Sequence, residues 1–430
     1  MPSDTRERSA RPPRERSAQL PPERRRRGDV VAAAVLAVLA LGAALILWRT
    51  SPEVATDSVP AAAPIAPPPP AAGVPAGFTE VWRAPSNATT APVVAGPAVV
   101  TADGSRVSGR DASTGAEVWS YTRDLPLCDT AAAFPQADGG LGRVMALYEG
   151  PAGYCSELTA LRPDTGARAA AGNPDAPAGA RLLVGSSSLV TTGRDYLEVL
   201  RSDLVKTLEY GAVPTPAEPG RQPRSGCVYG SMAVGSDRLG VIERCPGEPT
   251  DRLTLLATDG KDGANQPEVQ FSSALPGSGA VLVAVSADRA AVALPGPPRL
   301  LLFDRGGQQL GTVPLDVPAA DLADPPGGFS AVTTDGDRVY WWTGSQTIAL
   351  DATNLAPLWT LPSALGPAVT YGGGLLVPVP AGLVVLDAAT ATPLRTIPLE
   401  RPPGPVRLAT VGDVLLEQRG SEVVALRPSG

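Results

Sequence analysis

A strand that runs into an Asp-led turn and out again into a second strand recurs along this chain, and that recurrence constrains the fold more than any other feature. Val99-Val100-Thr101-Ala102-Asp103-Gly104 leads through residues 106–110 into Asp111-Ala112-Ser113-Thr114-Gly115, after which Glu117-Val118-Trp119 begins a further strand. Thr347-Ile348-Ala349-Leu350-Asp351-Ala352-Thr353, leading to Leu358-Trp359, follows the same plan, as does Leu383-Val384-Val385-Leu386-Asp387-Ala388-Ala389-Thr390. Five weaker copies complete the set. The anchors fall at residues 111, 162, 201, 259, 304, 351, 387 and 427, a mean spacing of about 45 residues, which is the length of one four-stranded propeller blade. Ser236-Asp237-Arg238, Ala287-Asp288-Arg289 and Gly336-Asp337-Arg338 read as tight turns between the first two strands of their units, where Asp bonds its own backbone.

The apolar runs are short, rich in Val and Leu, and bounded by Gly, Pro, Asp and Thr, which is strand punctuation. The expected fold is therefore all-β: a single β-propeller over residues 78–430, preceded by one transmembrane helix. Eight copies imply eight blades, and seven would follow if the long interval from 201 to 259 hides an irregular blade. The last copy stops at Gly430, short of its fourth strand, whereas Phe78-Thr79-Glu80-Val81-Trp82 looks like a fourth strand without its blade. Pairing the two ends closes the ring and removes two exposed edges.

The unit of strand, Leu-Asp-Ala-x-Thr-Gly and strand with Trp resembles the pyrroloquinoline-quinone-type propeller repeat, most clearly at residues 111–119 and 350–359. That repeat occurs in quinoprotein dehydrogenases and in non-enzymatic relatives such as the propeller lipoprotein of the outer-membrane assembly machinery. The resemblance implies that the Trp packs between blades and that the Thr-Gly forms a turn. Both residues then report fold, not function.

Ahead of the propeller the chain changes character. Residues 1–28 carry nine Arg against four acids and read as a disordered cytoplasmic tail. Within the segment 29–49, residues 30–48 bear no charge and are long enough to span a membrane. Positive residues stay on the cytoplasmic side, so the expected topology is a single-pass cell-membrane protein with its N-terminus inside and its propeller extracytoplasmic. A cleaved signal peptide would have a shorter apolar core and a small-x-small site, and this segment ends in Trp48-Arg49. Residues 50–77, rich in Pro and Ala, read as a semi-rigid spacer.

Net charge is −7, so the body beyond the basic head is markedly acidic, and only two lysines are present. That argues against a phosphate-tracking surface and so against a nucleic-acid partner. Four cysteines in an exported domain favour disulfides. Cys227 and Cys245 flank the turn at Ser236, and Cys128 and Cys155 bracket the Gly-rich segment 139–142, so the expected bridges are 128–155 and 227–245.

The sequence holds no His, which excludes His-based acid–base, nucleophilic and metal chemistry within the chain. No catalytic residue, metal ligand or cofactor-binding residue is assigned. Enzymatic members of the resembled family hold a quinone with calcium on a carboxylate cluster and an aromatic floor, and no residues here match that set. Asp259-Gly260-Lys261-Asp262-Gly263 has a calcium-loop outline with a cation at the wrong position and reads as a solvated turn. Tyr340-Trp341-Trp342 is the densest aromatic cluster. Strand alternation sends Trp341 and Trp342 to opposite faces, leaving one of them, with Tyr371, as a candidate ligand surface. The expected function is a non-catalytic binding or scaffold module for an envelope protein or polymer. The rival is a quinoprotein or another His-free, carboxylate-based enzyme.

Overall fold

A computed structural model of the chain describes residues 27–49, 51, 54–216, 219–261, 263–325, 327–387 and 390–429. The Arg-rich tail 1–26, Asp262 of the calcium-loop outline, Ala388 and Ala389 of the seventh repeat, and Gly430 lie outside the described residues. The chain divides into two units, Met1–Ala55 and Thr56–Gly430. In the first, Arg27–Arg49 forms one helix, long and apolar enough to cross a membrane. No Pro or polar residue interrupts Val30–Trp48, and Ala and Leu dominate it, as helix propensity favours.

The second unit is an eight-bladed β-propeller. Blades one to seven occupy residues 93–123, 127–172, 182–211, 228–274, 281–314, 331–362 and 369–398, each a four-stranded antiparallel meander in chain order from inner to outer strand. The inner strands of successive blades neighbour one another at seven of the eight interfaces, the exception being that between blades five and six. Residues 406–429 supply the first three strands of blade eight, and Gly77–Pro85 supplies its outer strand. The register pairs Trp82 with Ala425 and Arg83 with Val424, with Val81 bulged out, so the chain ends close the ring in one sheet as the orphan strand suggests.

At five of the eight blade interfaces the repeat packs by a size rule. Trp82, Trp119 and Phe271 sit on the outer strands of blades eight, one and four, and each lies over the turn glycine of the next blade. A Cβ at Gly115, Gly166 or Gly307 would come within 2.5, 2.7 and 2.6 Å of those rings. These glycines have φ of +72°, +70° and +82°, a region that side chains disfavour. The indole N–H groups of Trp82 and Trp119 each donate, at 2.8 Å, to a carbonyl of that same turn, Ala112 and Pro163. Where the outer-strand residue is small, as at Ala170 and Gly311, the next turn carries a buried leucine instead, Leu204 or Leu355. These leucines keep the left-handed backbone, at +63° and +57°.

Two expectations need correction. The fourth repeat is anchored at Ala257, not Asp259: Ala257 N–H donates to Glu268 O, just as Asp111 N–H donates to Ala116 O. The turn that follows is long, closing only at Glu268, and its Asp259 lies two residues past the strand end. Residues 50–77 are also not a free spacer throughout. Thr56–Val59 forms a fifth strand on the outer edge of blade one, pairing with residues 120–123. The chain then runs as a strap along the turns at one end of the blades. Ala61 and Ile65 N–H groups donate to Thr165 and Asp164 carbonyls, and Ile65, 6 % exposed, joins the cluster of Trp119 and Leu161. Pro68 and Pro69 lie against Gly412, and Gly73 against Gly372. Arg395 Nη2 holds the carbonyls of Val74 and Pro75 at 2.8 Å. A Pro/Ala segment has few backbone donors to satisfy, so it can lie on protein as readily as in water.

Both expected disulfides form, Cys128–Cys155 and Cys227–Cys245. The second closes an inner hairpin, with Val228 opposite Arg244. The first differs in detail: it ties the inner strand of blade two to the connection after residue 148, beyond the Gly-rich turn. With separations of 27 and 18 residues, each should stabilise by about 3 kcal/mol in the chain-entropy model. The double variant Cys227→Ser/Cys245→Ser is expected to lower the denaturant-extrapolated stability by about that amount. An unchanged midpoint would show that the bridge does not constrain the unfolded chain.

Candidate functional site

The turns from first to second strand and from third to fourth strand lie at one end of the blades, and that end carries the strap. The other end carries the blade-to-blade connections. One of the two longest of these, 315–330, joins blades five and six and travels sideways before it does so. Leu322, 2 % exposed, anchors a short 3-10 turn, Ala319–Leu322. Asp324 then accepts from Ser231 N–H at 2.8 Å and pairs with Arg244 at 2.7 Å. Gly327 N–H donates to the Tyr229 and Gly230 carbonyls, Met232 N–H donates to Gly328 O, and Phe329 bridges Met232 in parallel. The connection is thus laid along the inner strand of blade four. Gly230 admits it, since a Cβ there would come within 2.5 Å of the Asp324 carboxylate.

Beside this connection is a cavity of about 190 Å³ whose lining includes Asp321, Ser330, Trp341, Trp342, Thr343 and Arg407. Arg407 projects from the inner strand Val406–Val411 of blade eight, and its guanidinium lies 5.5 Å from the centre of the Trp342 ring, within cation–π range. Protein surrounds the group on most sides, and that burial alone lowers its pKa to about 10. No carboxylate among the described residues pairs with it. Asp321 is occupied within the chain, accepting from the Ser345 and Thr343 hydroxyls. The Trp342 indole N–H donates to Ala364 O at 2.9 Å, which fixes the ring.

Of the three aromatic residues singled out from the sequence, only Trp342 offers a partly exposed face to this cavity. Trp341 also borders the cavity, but alternation turns its side chain into the blade. It is 2 % exposed and packs in the apolar cluster of blades five and six. Tyr371 does not belong with them. It is buried edge-on against Phe78, with ring centres 5.3 Å apart, and its hydroxyl donates to Asp413 O. Its place beside the turn at residues 372–373 puts it at the strap end of blade seven. Arg407 went unnoticed in the sequence because an arginine between Val406 and Leu408 reads as the solvated face of an edge strand. Only the closed ring turns that face inward.

A second polar cluster lies in blade three. Asp175, Glu198 and Glu209 converge closely enough to hold a cation, and Lys206 Nζ fills the position at 2.7, 3.0 and 2.8 Å from them. Burial works against the ammonium, but the three carboxylates prevail and hold Lys206 above the ordinary lysine range. Replacing Lys206 by Met leaves three facing carboxylates, one of them fully buried. Their mutual repulsion raises the folded-state pKa values above the unfolded ones, so the variant's deficit is largest at neutral pH and shrinks as pH falls through the raised values. The expected loss is about 3 kcal/mol at pH 7, recovering by pH 5 in denaturant titrations. A deficit independent of pH would rule out this electrostatic role.

The described residues around the Arg407 cavity do not fit a calcium-bound quinone. The lining contains one carboxylate, Asp321, already engaged by two hydroxyls, whereas calcium takes six to eight oxygens.

A family model described as "Outer membrane protein assembly factor BamB" matches residues 77–191. Among solved structures, BamB from Moraxella catarrhalis is 15 % identical with a TM-score of 0.47, covering 81 % of this chain and 97 % of that one. The computationally designed Ika8 protein is 11 % identical with a TM-score of 0.50, covering 81 % and 98 %. Dihydro-heme d1 dehydrogenase NirN, in complex with DHE, is 15 % identical with a TM-score of 0.47, covering 82 % and 80 %. No curated protein matches the sequence. At such identities a structural likeness speaks for the fold alone.

Proposed function

Because this chain is a member of the PQQ-like β-propeller family, we propose that it is a membrane-anchored, extracytoplasmic and non-catalytic module that presents one end of its propeller to an envelope partner, a protein or surface polymer. The observation that carries the reading is the unequal dressing of the two ends. One end is covered in part by the strap of residues 56–76, whereas the other keeps its connections, the 315–330 crossing and the Arg407 cavity available. A rigid closed ring with variable connections at one end suits recognition, because loops can change without disturbing the scaffold. The apolar helix Arg27–Arg49 with an Arg-rich flank supports anchoring with the propeller outside, and two disulfides suit an oxidising compartment. The absence of His supports a binding role over catalysis.

The test is photo-cross-linking in intact cells. A cross-linking residue at Ala178 or Val228, both exposed at the connection end, should give a discrete adduct, and one at exposed Asn354 at the strap end should give none. Equal adducts from both ends, or none from either, would remove the basis for the reading. The enzymatic alternative predicts instead a stoichiometric spectral change when the full chain is titrated with the quinone and calcium.

A further inference from the structure

We propose that the cavity beside the 315–330 connection binds a single carboxylate, held by Arg407 with the Trp342 ring at its back.

An arginine held largely away from water is costly without a counter-ion, and three other enclosed arginines of this chain have one, whereas fully buried Arg238 has none and donates to the Ala287 carbonyl. Arg401 pairs with Glu417 at 2.8 Å, Arg224 with Glu243 at 2.8 Å, and Arg244 with both Asp251 and Asp324. Arg407 has an aromatic face and a cavity. A cation–π contact occupies one face of the planar guanidinium and leaves its in-plane N–H donors for a ligand. Those donors form a fork that matches a carboxylate in two parallel hydrogen bonds.

The rest of the lining narrows the class. Asp321 shares the cavity, so a second negative charge on the ligand would meet repulsion. That favours a monocarboxylate over phosphate or a diacid. The hydroxyls of Ser330 and Thr343 line the same space. At about 190 Å³, the cavity is smaller than the roughly 300–1,000 Å³ of ordinary small-molecule sites. It suits a carboxylate on a very small molecule, or an Asp, Glu or C-terminal carboxylate reaching in from a partner. The second source rests on the partner-binding reading above; the first does not.

The experiment uses the full chain in detergent, comparing wild type with Arg407→Met and Arg407→Lys by thermal shift and calorimetric titration. The probes are acetate, a blocked Gly-Glu-Gly peptide and its Gly-Gln-Gly counterpart. Acetate, the Glu peptide or both should raise the wild-type melting temperature. The response should be lost in Arg407→Met and weakened about tenfold in affinity in Arg407→Lys, which keeps the charge but not the fork. Without ligand, Arg407→Met should melt at or above wild type, since an unpaired enclosed cation has been removed; a purely structural arginine would lower it. Response to acetate alone identifies a free small carboxylate, and response to the peptide alone a partner's side chain. No response to either, equal responses to the Glu and Gln peptides, or an undiminished response in Arg407→Met would each overturn the proposal. A carboxylate response without a cross-linked partner would refute only the scaffold reading, and the converse result only this one.

Discussion

Deleting residues 77–85 should leave no cooperatively folded propeller. That strand is the outer strand of blade eight, and its eight paired positions run from Gly77 opposite Ser429 to Pro85 opposite Glu422. It buries Phe78 against Tyr371 and sends the Trp82 indole N–H to Ala112 of blade one. Just beyond it, Ser86 and Thr89 are buried with Gln418, whose amide donates to Ser86 O at 3.1 Å. Ladder hydrogen bonds at about 1 kcal/mol net each, with burial of one Phe at about 2 kcal/mol, sum to on the order of 10 kcal/mol. That is most of what a domain has, about 5–15 kcal/mol. The loss is not confined to one blade, because an open ring exposes a sheet edge and frees blades one and eight from each other. Circular dichroism melts and limited proteolysis of the deletion variant read the outcome. A cooperative transition within about 5 °C of the parent would mean that the ring holds without its closure.

Trp119→Ala is expected to cost about 4 kcal/mol, in the range for emptying a large buried aromatic site. The ring is fully buried, packs over Gly109 and Gly166, and donates to Pro163 O across the interface of blades one and two. Gly166→Leu alone should be at least as damaging, because the new side chain meets the Trp119 ring at a backbone φ of +70°. The informative variant is the double one. Trp119→Ala with Gly166→Leu recreates the Ala170 and Leu204 arrangement that the chain already uses between blades two and three. It should be more stable than the sum of the single costs by about 2 kcal/mol, the size of coupling expected of contacting residues. Additivity in chemical denaturation would show that the two arrangements are not alternatives.

The parts of the structure legible in the sequence are those specified over a few residues. The Asp111 turn binds itself, with Asp111 Oδ1 accepting from the Ser113 and Thr114 N–H groups, so its pattern survives wherever it is copied. The orphan Glu80-Val81-Trp82 was recognisable for the same reason, and so was closure. What escaped is tertiary. Composition says that residues 50–77 cannot build a core, but not that Ile65 can enter one already built by Trp119 and Leu161. Tyr371 and Trp342 are aromatic residues of neighbouring blades, and which end of a blade each occupies is not written in either residue type. Arg407 is the clearest case: its environment comes from Trp342 on blade six and the connection before that blade, both far away in sequence.

The alternation of bulky and small partners at blade borders also bears on how such a chain can change. Because Trp119 needs a glycine after it and Leu204 needs a small residue before it, the units that meet at these borders are not interchangeable copies. A duplicated or transposed unit would bring aromatic against leucine, or gap against gap, at its new borders. The order of the units is constrained at those borders, so a change confined to a loop disturbs the packing least.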